Sequence, residues 1–194
     1  MVEKLKELRD WCILQQATWT NDLIECGEFT YGRPIVHQWD KETRLTVGKF
    51  CSIGGNVHIL LGGEHHTEWL TTYPFDVFLD EGVAKSKGDV KIGNGVWIGN
   101  DVTILSGVKI GDGAVIGACS LIAKDVRPYA IMRGNPAEFL RYRYAAHSLQ
   151  LNGITWWDWP IEKIAAGWQI LTSEDVDRLM DFDRRWNNGL RDHA

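Results

Sequence analysis

The residues of this chain best suited to chemistry stand in one short run, Gly62-Gly63-Glu64-His65-His66. Imidazole titrates near neutral pH, so either histidine has the right basicity to take a proton from a reacting group. The other four histidines are more scattered. His37 falls in an early strand-like stretch and is a candidate to line a pocket, whereas His58, His147 and His193 read as structural or solvated. Cys12, Cys26, Cys51 and Cys119 form no C-x-x-C pair and no zinc-finger spacing, so they read as reduced packing thiols.

The histidine pair lies where a strict rhythm breaks. Ile92, Ile98, Ile104, Ile110, Ile116 and Ile122 stand six apart, as do Val47, Ile53 and Ile59. Ile59 and Ile92 are 33 residues apart, which is not a multiple of six. Glycine follows the repeated position at 48, 54, 93, 99, 111 and 117 but not at 60, 105 and 123, so the underlying period is 18. That period describes one turn of a triangular coil with a short parallel strand on each face. Small or β-branched residues four places on (Cys51, Val57, Val96, Val102, Val108, Ala114, Ser120 and Val126) supply a second inward position that fills a narrow core. In this register an insert of about residues 62–89 leaves near the corner between the third and first faces. It exceeds the usual loop length of about 12–15 residues and carries Trp69, Tyr73, Phe75 and Phe78, which argues for a functional loop that docks on something.

The coil must be flanked by other elements. Residues 3–16 predict a helix with Leu5, Leu8 and Cys12 on one face, and Ile24, Thr30 and Val36 carry the six-residue step back into 22–46. Residues 136–147 and 173–186 predict helices opened by Pro136 and Ser173. The expected organisation is an N-terminal helical segment (1–21), the coil with its insert (22–135) and a C-terminal helical region (136–194).

A net charge of −5 argues against a general nucleic-acid binder. The charged N-terminus lacks an apolar signal core and no stretch reaches the roughly 18 apolar residues of a membrane span, so a cytoplasmic protein is expected. Against the acidic background, residues 124–143 hold Lys124, Arg127, Arg133, Arg141 and Arg143 but only Asp125 and Glu138. That local excess suits a polyanionic ligand, although the same charges also fit a solvated basic face.

Gly48-Lys49-Phe50-Cys51-Ser52-Ile53-Gly54, the loop from Gly62 through Thr72-Tyr73-Pro74-Phe75, Gly95-Val96-Trp97-Ile98-Gly99, Gly134-Asn135-Pro136-Ala137 and Trp156-Trp157-Asp158-Trp159 resemble the hexapeptide-repeat acyltransferases. More narrowly they resemble the xenobiotic acetyltransferase branch, which includes chloramphenicol and streptogramin acetyltransferases and related sugar O-acetyltransferases. The resemblance implies a left-handed parallel β-helix, a hand that spacing does not reveal. It implies transfer of acetyl from acetyl-CoA to a hydroxyl of an antibiotic or saccharide, and no metal. His65 occupies the family's catalytic position and is the expected general base; His66 stands where many relatives have Arg. Matching the repeat puts Asn100, Ala118, Ala123, Lys124 and Arg141 at the CoA contacts, with Asn100 stacked over Ala118. Tyr31, His37, Trp69, Phe75 and Trp97 are the candidates for the acceptor side. The family is a homotrimer with active sites between subunits.

Two other classes share the coil. A γ-type carbonic anhydrase would need three zinc-binding histidines, for which His58, His65 and His66 are the available set, without a third ligand at coil spacing. A non-enzymatic scaffold would not be stabilised by CoA.

Overall fold

The computed structural model describes residues 1–79, 82, 84–144, 151 and 153–190, and in it the rhythm becomes a left-handed parallel β-helix. The first face holds β1 (Ile24–Cys26), β3 (Leu45–Val47), β6 (Val90–Ile92) and β9 (Lys109–Ile110). The second holds β4 (Ser52–Ile53), β7 (Trp97–Ile98), β10 (Val115–Ile116) and β12 (Ala130–Arg133). The third holds β2 (Ile35–Gln38), β5 (His58–Leu61), β8 (Thr103–Ile104) and β11 (Leu121–Ile122).

Residues 18 apart are in register, as in Ile98 with Ile116 and Ile104 with Ile122. Both inward positions of each six-residue step are buried, the aliphatics and the small residues four places on. Burial also pushes the Cys51 thiol up to about 11 and that of Cys26 to about 12, consistent with packing roles. The strands on either side of the insert pair as though it were not there: β5 lies against β8 on the third face, and β3 against β6 on the first.

Side-chain amides and carboxylates bind the corners. Asn94 Oδ1 accepts the Lys49 N–H at 2.8 Å, Asn100 Oδ1 accepts the Gly55 N–H at 2.8 Å, and Asp112 Oδ1 accepts the Asn94 N–H at 2.6 Å. Each side chain meets a backbone donor of the turn before it, which satisfies groups the short strands leave open. At Gly99 the turns come so close that a Cβ would stand 2.7 Å from the Ala118 nitrogen.

The helices close the coil. α1 (Val2–Gln16) is tied to the first turn by Gln16, whose Nε2 donates to the carbonyls of Gly27 and Thr30 at 2.8 and 2.9 Å. Cys12 is buried on its inner face, but Leu8 is exposed rather than packed. α3 (Ile161–Leu171) packs on α1 and on α4 (Val176–Asn187). Between the last two, buried Lys163 donates to Asp183 and Asn187 and lies over the Trp159 ring. Phe29 stacks on Phe50, and Trp156 packs on Phe50 at a tilt of 53°, which joins the C-terminal part to the coil.

Three sequence expectations are corrected. Residues 136–147 do not begin a helix at Pro136: Glu138–Tyr142 is β13, antiparallel to β12, so it lies along the open edge of the second face. Residues 145–147, including His147, lie outside the described residues, as does His193. The early rhythm also slips. Val36 is in register with Ile59, but Ile24 pairs with Leu45, and Cys26 rather than Ile24 matches Val47. The expected helix over 173–186 is α4, Val176–Asn187, with Asp175 rather than Ser173 as the capping side chain. Among the described residues, no helix is long and apolar enough to cross a membrane.

Candidate active site

The insert leaves β5 through Gly62 and Gly63, at φ 80° and 86°, conformations that favour glycine. At Gly63 a side chain would meet the Trp39 ring at 2.6 Å. The chain then turns through Glu64 and places His65 on the surface, with its Nδ1 2.6 Å from the Thr72 carbonyl oxygen. A carbonyl only accepts, so Nδ1 carries the hydrogen and the neutral ring keeps its lone pair on Nε2. The same carbonyl stays in place to receive Nδ1–H when Nε2 gains a proton. A base needs both properties, a fixed tautomer and a partner for the charged form.

His66 is placed differently. Its Nδ1 meets Glu68 Oε1 at 2.7 Å and its ring lies flat on Trp69, 3.8 Å between centroids. Lys85 reaches Glu68 from the returning limb at 3.0 Å. The His66 bond, backbone donation and Lys85 hold the Glu68 carboxyl down at about 2. Farther out, Tyr73 packs against Phe75 and Phe78, which open and close the single-turn α2 (Phe75–Phe78).

The acceptor-side candidates do not converge within one chain. Trp69 and Phe75 are exposed on the insert. Tyr31 and Trp97 lie on the second face, in one column with Ser52 between them. His37 is on the third face, where its Nε2 meets His58 Nδ1 at 2.8 Å and its ring stacks near Trp39. His58, read from sequence as structural or solvated, is thus one half of a histidine pair, with Asn56 Oδ1 at 3.0 Å from its other nitrogen.

The donor-side candidates also separate. Asn100 and Ala118 stack at the corner between the second and third faces, where the Cys119 N–H donates to the Asn100 carbonyl at 2.9 Å. Ala123 and Lys124 line a groove of about 340 Å³ with Met132 and Phe139. Arg141 lines a different groove of about 640 Å³ with Trp97, Val115, Ile131 and Arg143. The histidines proposed for zinc are apart as well: His58 pairs with His37, His65 with Thr72 and His66 with Glu68. Two contributors were given no role from sequence: Thr72, which acts through its backbone, and Ser106, whose hydroxyl donates to Glu64 Oε1 at 2.6 Å. A charged residue between a Gly-Gly turn and His65 was the available signal for the last.

The family model of the bacterial transferase hexapeptide (six repeats) matches residues 89–124. The chain is similar to the chloramphenicol acetyltransferase of Agrobacterium fabrum (strain C58 / ATCC 33970), 42% identical over 151 residues covering 73% of this chain and 72% of that protein. It is similar to a probable macrolide acetyltransferase of Lysinibacillus sphaericus, 44% identical over 149 residues covering 71% and 83%. Among solved structures it is similar to the polySia-specific acetyltransferase NeuO, with a TM-score of 0.50 and 25% identity over 61% of this chain and 48% of that one.

Proposed function

The chain belongs to the hexapeptide-repeat acetyltransferases, and from that membership we propose that it transfers acetyl from acetyl-CoA to a hydroxyl of a small-molecule acceptor, an antibiotic or a saccharide, with His65 as general base. The observation that carries the reading is the lock between His65 Nδ1 and the Thr72 carbonyl, which leaves Nε2 as the free base nitrogen. His65 Nε2 takes the acceptor's hydroxyl proton as that oxygen attacks the thioester carbonyl. The imidazolium, held by Thr72, then returns the proton to the departing sulfur as the C–S bond breaks. The acetyl group is never attached to the protein.

The stacked corner of Asn100 and Ala118 suits an extended pantetheine arm, because small and neutral side chains there leave backbone groups within reach. Ala123, across the third face from that corner and in its own groove with Lys124, is a further contact we assign to CoA. Lys124 and Arg141 supply positive charge for the phosphates of CoA. The acceptor pocket draws on Tyr31, His37, Trp69, Phe75 and Trp97. Since these occupy three separate places on one chain, we infer that neighbouring copies complete the site, in a homotrimer working in the cytoplasm.

The test is a thiol-release assay with acetyl-CoA across antibiotics, nucleotide sugars and simple saccharides. His65→Ala should lower turnover by about 10²- to 10⁴-fold, the range of general acid–base catalysis. CoA should still raise the melting temperature of that variant, as a ligand of the folded form must. Undiminished turnover would remove His65 from the mechanism.

A further inference from the structure

Glu64 touches both limbs of the insert and the coil beneath them. Its backbone N–H donates to the Lys85 carbonyl at 3.2 Å, which joins the outgoing limb to the returning one. Its Oε1 accepts from the Ser106 hydroxyl at 2.6 Å. Ser106 is itself buried, just before the tight corner at Gly107, and its oxygen accepts the Lys87 N–H at 3.1 Å. One carboxylate and one hydroxyl thus clamp the loop shut at its base.

The other carboxylate oxygen, Oε2, is buried and meets no donor among the described residues. A buried acceptor without a donor is costly, and more so on a charged group. Stability alone does not account for a carboxylate here. Sites that give up stability in this way cluster where geometry matters to function. The next residue is His65, already locked to Thr72. Ser106, Glu64, His65 and Thr72 therefore form one continuous path from the coil wall to the base.

We propose that Glu64 is a positioning residue for His65: anchored by Ser106, it sets where the imidazole stands relative to the coil and so to the acyl donor lying along it. The proposal rests on the assignment of His65 as base. A displacement of about 1 Å at a reacting group costs about 10²-fold in rate, so even a small loosening should be visible.

The experiment compares Glu64→Ala, Glu64→Gln, Ser106→Ala and the double Glu64→Ala/Ser106→Ala variant in the full-length chain, beside His65→Ala. Glu64→Ala should lower kcat about 10- to 100-fold. KM for acetyl-CoA should hold, because Asn100 and Ala118 lie on another corner and Glu64 bonds to Ser106 rather than to Ala123 or Lys124 in the turn beyond it. Glu64→Gln should recover most of the loss, since its amide oxygen still accepts from Ser106. Ser106→Ala should resemble Glu64→Ala, and the double variant should be no worse than either single one, as expected of two residues acting through one contact. Hydrogen exchange at the Glu64 and Lys87 amides should quicken in Glu64→Ala. Unchanged kcat in Glu64→Ala, equal losses in the Gln and Ala variants, or multiplying losses in the double variant would each overturn the proposal. Normal turnover by His65→Ala would instead remove the base assignment, and the exchange rates would then decide the anchor on their own.

Discussion

His65 and His66 are sequence neighbours with different employment, and the difference lies in what each Nδ1 meets. A neutral carbonyl holds His65, whereas a carboxylate shared with Lys85 holds His66. The Glu68 carboxyl is depressed from 4.5 to about 2, chiefly by the His66 bond. A depressed carboxyl stabilises the fold fully above its unfolded value. That contribution is therefore complete above about pH 4.5 and is lost as pH falls towards 2. Glu68→Gln should flatten the fall in melting temperature between those limits when compared with the parent chain. The difference should shrink in high salt, because the group is exposed and screened. At this scale the sequence marks His65 as the candidate base, through the glycine-rich motif around it, but does not reveal the group its Nδ1 meets. Thr72 contributes a backbone oxygen, and any residue type offers one.

Turns of the coil stack so tightly at some corners that a single methyl group must move them. In Gly99→Ala the new carbon would lie 2.7 Å from the Ala118 nitrogen and 2.9 Å from its Cα. The variant should lose about 1–3 kcal/mol of stability, the usual range for overpacking. It should also raise KM for acetyl-CoA, because the shift falls on the Asn100–Ala118 stack. Gly55→Ala is the control: its nearest neighbour is the Asn100 Oδ1 at 3.8 Å, and both stability and KM should hold. Thermal melts and steady-state kinetics on the pair check this. Elements governed by the repeat were legible because every sixth residue faces one narrow core. Glu138–Tyr142 was not, because β13 runs antiparallel along the coil's edge with all but its last residue exposed, and an exposed edge strand has no inward period to read. The slip at Ile24 has a similar cause. The first turn pairs on one side only and is steadied by Gln16 from α1, so a side chain outside the repeat fixes its register.

A single copy of the molecule leaves much apolar surface open. Trp69, Leu70, Phe78 and Leu79 of the insert are exposed, and so are Trp11 and Leu14 of α1. Large exposed apolar side chains in such number suit a surface that meets other proteins. Equilibrium sedimentation should give the mass of three chains, and Leu70→Glu combined with Phe78→Glu should shift it towards one chain while abolishing turnover. The whole-molecule plan was readable from the period of 18, but the placing of the candidate site residues on separate faces was not; only the family resemblance, not the spacing, led to the expectation of sites between subunits. The pairing of β3 with β6 and of β5 with β8 across the insert has a wider meaning. The loop enters and leaves at one corner without changing the step from the third face to the first, so the coil acts as a socket and the loop as a cartridge. Loops of other lengths and compositions fit such a socket without disturbing the coil's register, so on the proposed function acceptor recognition is free to diverge in the loop apart from the coil proposed to hold the donor.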